Sequence, residues 1–97
     1  MGNSAGSPLA KAVFSNNPEM VKQLLLNDSR CDVDEKDQDG ATLLHLCCSE
    51  GYYQCAKILV EHGANVGSTD RQFFTPLHRA CQYRRVDCVL LLVQYVP

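Results

Sequence analysis

Asp37-Gln38-Asp39-Gly40-Ala41-Thr42-Leu43-Leu44-His45 returns further along the chain as Asp70-Arg71-Gln72-Phe73-Phe74-Thr75-Pro76-Leu77-His78, displaced by 33 residues. Cys48 and Cys81 keep the same offset, and so do Cys55 and Cys88. A fixed period of this length is the mark of stacked supersecondary units, each too small to bury its own apolar side. Within one period the local signals are consistent. Thr42 is suited to cap a helix, its hydroxyl accepting from a free N–H of the first turn. In the copy, Thr75 is followed by Pro76, and proline at the first helical position sacrifices no hydrogen bond. The first helix is predicted to run to Glu50 and to stop at Gly51, a residue suited to left-handed backbone. A second helix is predicted from Tyr53 to His62, with Cys55, Ile58 and Leu59 on one face and Gln54, Lys57 and Glu61 on the other. Gly63 closes it, and residues 64–70 lead through an extended turn into the next unit.

These residues resemble the ankyrin repeat family. Asp37 to Val66 is similar throughout to that family's pattern, D-x-x-G-x-T-P-L-H-x-A-A-x-x-G at its start and G-A-D-V-N at its end, and Asp70 to Val93 follows it nearly as well. The resemblance implies an all-α fold, an ankyrin-repeat solenoid of helix–turn–helix units joined by finger-like hairpin loops. It also implies that His45 and His78 are structural, tying the loop to the Thr hydroxyl and backbone. Gly67 and Asp34 stand where the family usually has Asn, so behaviour tied to that Asn, such as its hydroxylation, does not carry over.

Taken in order, Met1 to Gly6 is Gly, Ser, Asn and Ala and is expected to be disordered. Met1-Gly2 is not followed by Ser or Thr at the sixth position, which argues against myristoylation. The repeat domain is expected over residues 7–97, in units of about 7–36, 37–69 and 70–97. The first unit repeats the cap-and-proline signal in Ser7-Pro8-Leu9-Ala10, but Ala10 replaces the His and Asn16 the helix-ending Gly. Its spacing to the next unit is 35 residues, which puts two additional residues in the loop near Asn27 to Arg30. Polar Lys11, Ser15, Asn16 and Asn17 suit an end unit with one side in water. The third unit places Phe73 at the counterpart of Gly40 and Arg84 at that of Gly51. A bulky residue disfavours positive φ, so the finger tip is expected to take a different turn there.

Net charge is −2 over 97 residues, which gives no case for a nucleic-acid or membrane partner. The charge is uneven: Asp28 to Asp39 is acidic, whereas Arg71, Arg79, Arg84 and Arg85 make the third unit basic. Six cysteines would suggest a disulfide framework in a secreted chain. No apolar signal segment opens the sequence, and Cys47, Cys48 and Cys81 occupy Ala-like slots while Cys55 and Cys88 occupy Val slots. Buried, reduced thiols and a cytoplasmic or nuclear location follow as expectations. Adjacent Cys47-Cys48 lack the paired spacing of a zinc site. Thiols in core slots are not poised as nucleophiles either, so no catalytic, metal or cofactor residue is expected.

What remains is recognition of another protein. The resemblance implies that loop tips and the outer part of each first helix line a concave groove. By position these are Gln38, Asp39, Ala41, Ser49 and Glu50 in the middle unit, and Phe14 and Ser15 in the first. In the third they are Arg71, Gln72, Phe74, Gln82 and Tyr83, joined by Phe73 and Arg79 as aromatic and arginine anchors. The implied role is an adaptor or scaffold module, or an inhibitory or targeting subunit that blocks or recruits an enzyme. The run Cys88-Val89-Leu90-Leu91-Leu92-Val93 is apolar all round, so cover by a further repeat or by a second copy is expected there.

Overall fold

The computed structural model describes residues 7–95; the expectation for Met1 to Gly6 lies outside them. Six helices follow one another in three pairs: α1 (Pro8–Phe14) with α2 (Pro18–Asn27), α3 (Leu43–Glu50) with α4 (Tyr53–Glu61), and α5 (Pro76–Gln82) with α6 (Val86–Val93). The pairs stack, α1 on α3 on α5 forming one layer and α2 on α4 on α6 the other. The fold is the expected all-α solenoid, and among the described residues one antiparallel bridge, between Lys36 and Thr42, closes the base of a finger. No helix among the described residues is long and apolar enough to cross a membrane.

The stack is held by a continuous core of Leu9, Val13, Val21, Leu44, Leu59 and Leu92 with small residues between them. Cys47, Cys48, Cys55 and Cys88 are fully buried in it, behaving as small apolar fillers. Donating its S–H to Cys88, together with burial, pushes the Cys48 thiol far up. Cys81 departs from the expectation of a core slot: it is exposed, because its counterpart Cys48 is covered by the following unit. Truncating a fully buried leucine such as Leu59 to alanine costs about 2–5 kcal/mol in a core of this kind.

Each finger is fixed by its leading aspartate. Asp37 Oδ1 accepts from the Asp39 and Ala41 amides at 2.8 and 3.0 Å. Asp70 Oδ1 accepts from the Gln72 and Phe74 amides at 2.9 and 3.0 Å. The expectation of a different turn at Phe73 is corrected here. Phe73 adopts φ +66° beside Gly40's +74°, and the two tips make equivalent amide bonds to Asp70 and Asp37. Asp70 and the neighbouring finger over-determine the turn, so a bulky residue is carried into left-handed backbone. The same holds at the helix junctions, where Asn16 (φ 52°) and Arg84 (φ 59°) match Gly51 (φ 78°). All three junctions close with a bond to the carbonyl five residues back: Asn17 to Ala12, Tyr52 to Cys47, Arg85 to Ala80.

His45 joins two units. Its Nδ1 accepts from the Thr42 amide at 3.0 Å and faces the Thr42 hydroxyl at 2.9 Å, while the His45 amide donates to that hydroxyl oxygen. Its Nε2 donates to the Phe74 carbonyl of the next finger at 2.7 Å. These partners select the neutral Nε2–H tautomer, because a protonated Nδ1 could not accept from the Thr42 amide. The first unit has no such His. There the cap Ser7 accepts from the Ala10 amide, and its hydroxyl donates to the Glu35 carboxylate at 2.9 Å.

Two outcomes follow. Phe73 is 79% exposed, so Phe73→Gly loses little burial and relieves positive-φ strain. It should stabilise the fold by about 1 kcal/mol in a urea melt, and an unchanged or lower midpoint would contradict the strain. Burial holds the His45 imidazole below its ordinary 6.5. The unfolded chain therefore takes up a proton first as pH falls. The stability His45 contributes is intact above 6.5 and is lost as pH drops from there through the lower folded value. The slope should not exceed about 1.4 kcal/mol per pH unit for one proton, and His45→Gln, though less stable at neutral pH, should flatten this part of the profile.

Candidate functional site

The fingers and the exposed sides of α3 and α5 face one another across a groove of about 480 Å³, lined chiefly by Asp37, Asp39, Ala41, Ser49, Arg71 and Gln72. Its floor adds His45, Leu46, Asp70 and Arg79. The second and third fingers are locked together across it by the Arg71 amide, which donates to the Asp39 carbonyl at 2.9 Å. A smaller apolar cleft of about 80 Å³ sits one step earlier, between Ala10, Phe14, Ala41, Leu43 and Leu46, with Glu35, Lys36 and Asp37 at its edge.

The two halves of the groove differ electrostatically. In the third unit Arg79 reaches the Asp70 carboxylate with Nη2 at 2.7 Å and Nε at 3.2 Å. It also donates to the side-chain carbonyls of Gln72 (2.8 Å) and Gln82 (2.9 Å). Asp70 is nearly buried, and burial alone would raise its carboxyl. The Arg79 guanidinium and the Phe74 and Gln72 amides outweigh that and hold it below the ordinary carboxylate range. One period earlier, Leu46 stands in place of Arg79, so Asp37 keeps its turn bonds but has no arginine from α3. The second finger therefore presents acid over an apolar helix, and the third a neutralised acid braced by arginine.

The residues expected at this site separate into four groups. Asp39, Ala41, Ser49, Arg71, Gln72 and Arg79 come together on the groove. Gln38, Glu50, Gln82 and Tyr83 are exposed but lie outside its lining, Gln82 serving as a brace for Arg79 and Tyr83 as the residue capping α5. Phe14, half exposed, lines the smaller cleft, and Ser15 caps α1. Phe73 and Phe74 part company. Phe74 turns inward, its ring 4.6 Å from the Arg79 guanidinium and 5.6 Å from the His78 ring, where it braces its own helix rather than the apolar flank of α6. Phe73 points away into solvent at the tip.

Asp37, His45, Leu46 and Asp70 line the groove and were not among the residues expected there. Leu46 was legible, since it is Arg79 displaced by one period. Asp70 needed the folded ion pair to be seen as part of the floor. Among the described residues no group of three or more His, Cys, Asp or Glu side chains could hold a metal.

A family model described as ankyrin repeats, in three copies, matches residues 9–96. The chain is 34% identical over 89 residues to ankyrin repeat domain-containing protein 13B of Homo sapiens, which covers 91% of this chain and 14% of that protein. It is 33% identical over 93 residues to the BCL-6 corepressor-like protein 1 of Homo sapiens, covering 96% of this chain and 5% of that one. It is 42% identical over 77 residues to the potassium channel SKOR of Arabidopsis thaliana, with 79% and 9% covered. The chain thus spans less than a fifth of the length of each of these relatives. The 33-residue period, the stacked helix pairs and the capped His all agree with that match, and the chain belongs to the ankyrin repeat family.

Proposed function

We propose that the chain is a non-catalytic recognition module that binds a partner protein along the groove between its fingers and inner helices, with Phe73 and Tyr83 as aromatic anchors outside its lining, at the margin of the same surface. Ankyrin repeats are protein–protein interaction modules, and a stack of this kind recognises partners through an extended surface without a reacting group. The observation that carries the reading is Phe73, held at φ +66° and 79% exposed. Its ring fills no core, and a glycine would serve the turn better. A bulky apolar residue kept in strained backbone in the open is a mark of function rather than of folding. Tyr83, about half exposed, adds a second aromatic, and Arg71 supplies a cation on the groove side of the same finger. Aromatic and arginine side chains are where interfaces concentrate their energy.

The partner reading is an adaptor or scaffold role. A surface with an acidic second finger and an arginine-braced third would orient a partner of complementary charge along the stack. Immobilised chain used to capture partners from a lysate, followed by affinity measurement on the partner identified, tests the reading. Phe73→Gly and Tyr83→Ala should each weaken binding by roughly 1–3 kcal/mol, the cost of truncating an anchor. Lys57→Ala, on the outer layer away from the groove, should leave it unchanged. Equal affinity for all three variants, or loss confined to Lys57→Ala, would move the recognition surface elsewhere.

A further inference from the structure

We infer that the apolar cleft between the first and second units is a specificity pocket for a partner segment carrying an aromatic side chain beside an arginine. This deepens, and rests on, the recognition role proposed above. The cleft, of about 80 Å³, arises from departures within the chain's own repeat. One step further along the stack the equivalent space is filled. There His45 donates to the Phe74 carbonyl, and the Arg79 guanidinium lies 4.6 Å from the centre of the Phe74 ring while it pairs with Asp70. In the cleft Ala10 stands for that His45, Ala41 for Phe74 and Leu46 for Arg79. Phe14, in place of Ser49, gives it an apolar wall.

These substitutions leave polar capacity as well as apolar room. The Ala41 carbonyl accepts from the Asp37 amide at 2.9 Å, as the Phe74 carbonyl does from the Asp70 amide at 3.0 Å. Among the described residues it lacks the second donor that His45 brings to Phe74. Asp37 commits Oδ1 to its turn. Neither its Oδ2 nor the Asp39 carboxylate meets a cation or a hydrogen-bond donor among the described residues. On the same rim Glu35 is engaged by the Ser7 hydroxyl, and Lys36 is exposed without an ion pair.

The occupant follows from what the third unit does with the same acid. There an arginine from α5 neutralises Asp70 and covers an aromatic ring. A partner bringing a ring and an arginine supplies to the second unit from outside what Phe74 and Arg79 supply to the third from within. A guanidinium suits the task better than an ammonium, because its planar fork can hold a carboxylate while lying flat on a ring. An acidic segment is disfavoured by the free charges of Asp37 and Asp39.

Selection of phage-displayed short random peptides on the immobilised chain should enrich sequences with an aromatic residue close to an arginine. In a synthetic copy of an enriched peptide, replacing the aromatic residue by alanine or the arginine by glutamine should each weaken binding roughly tenfold. On the protein, Ala41→Phe fills the cleft and Leu46→Arg supplies the arginine from within. Both copy the third unit, and each should weaken the peptide by a similar factor. Asp39→Asn, at an exposed carboxylate, should leave the melt unchanged and weaken the peptide severalfold. The peptide replacements and Asp39→Asn read the same contacts should either cleft variant fail to fold. Enriched peptides that lack the pair, or that bind the folded cleft variants as tightly as the original chain, would overturn the inference. Peptides weakened by Phe73→Gly but not by the cleft variants would leave the recognition role standing and remove the cleft from it. The absence of any enriched peptide would also overturn the cleft inference, whereas capture of a folded partner tests the broader role separately.

Discussion

A single neutral imidazole links the local structure of this chain to its tertiary structure. His45 closes the first turn of α3 through Thr42 and, with its other nitrogen, suspends the finger of the next unit from the Phe74 carbonyl. Helix cap and inter-unit contact are therefore one hydrogen-bonded chain rather than two separate features. That chain requires an unprotonated Nδ1, and burial of the ring keeps it so. Because each unit touches only its neighbours, a bond of this kind at each step carries order along the stack. The first step lacks the His and uses Ser7 and Glu35 to span the same gap.

Backbone positions are more stubborn than side chains in such a repeat. Asp70 fixes its finger by the same pair of amide bonds as Asp37, and the neighbouring finger docks onto it through the Arg71 amide. Under those constraints the tip residue has one conformation open to it, whether it is Gly40 or Phe73. The helix junctions behave alike, with Asn16 and Arg84 held where Gly51 sits freely. Strain of roughly 1–2 kcal/mol per such residue is tolerable when the rest of the stack over-determines the turn. The tip side chain can therefore differ in chemistry, Gly40 in one unit and a solvent-facing Phe73 in the next, without changing the turn.

The groove gains its character from one substitution in the period. Where α3 carries Leu46, α5 carries Arg79, and that guanidinium gathers Asp70, Gln72 and Gln82 while covering Phe74. The third finger is thereby braced and its acid neutralised, whereas the second keeps an acidic edge above an apolar helix. Two chemically different halves arise from a scaffold that repeats almost without change.

The sequence by itself determined the period, the helix pairs, their caps and the family, because these depend on residue spacing and on local bonds within a turn. Thr42 and Thr75 as caps, Gly51 as a helix end and the small cysteines in core slots could all be read directly. Tertiary structure decided the rest. Phe73 keeps the glycine turn because neighbouring fingers impose it, an energy no local propensity contains. Cys81 lies in the open because burial at that slot is supplied by the next unit. Phe74 and Phe73, adjacent in sequence and alike in chemistry, take opposite roles for the same kind of reason. Arg79 is placed over one ring by its bond to Asp70, while the other ring projects from a turn that leaves it nothing to pack against.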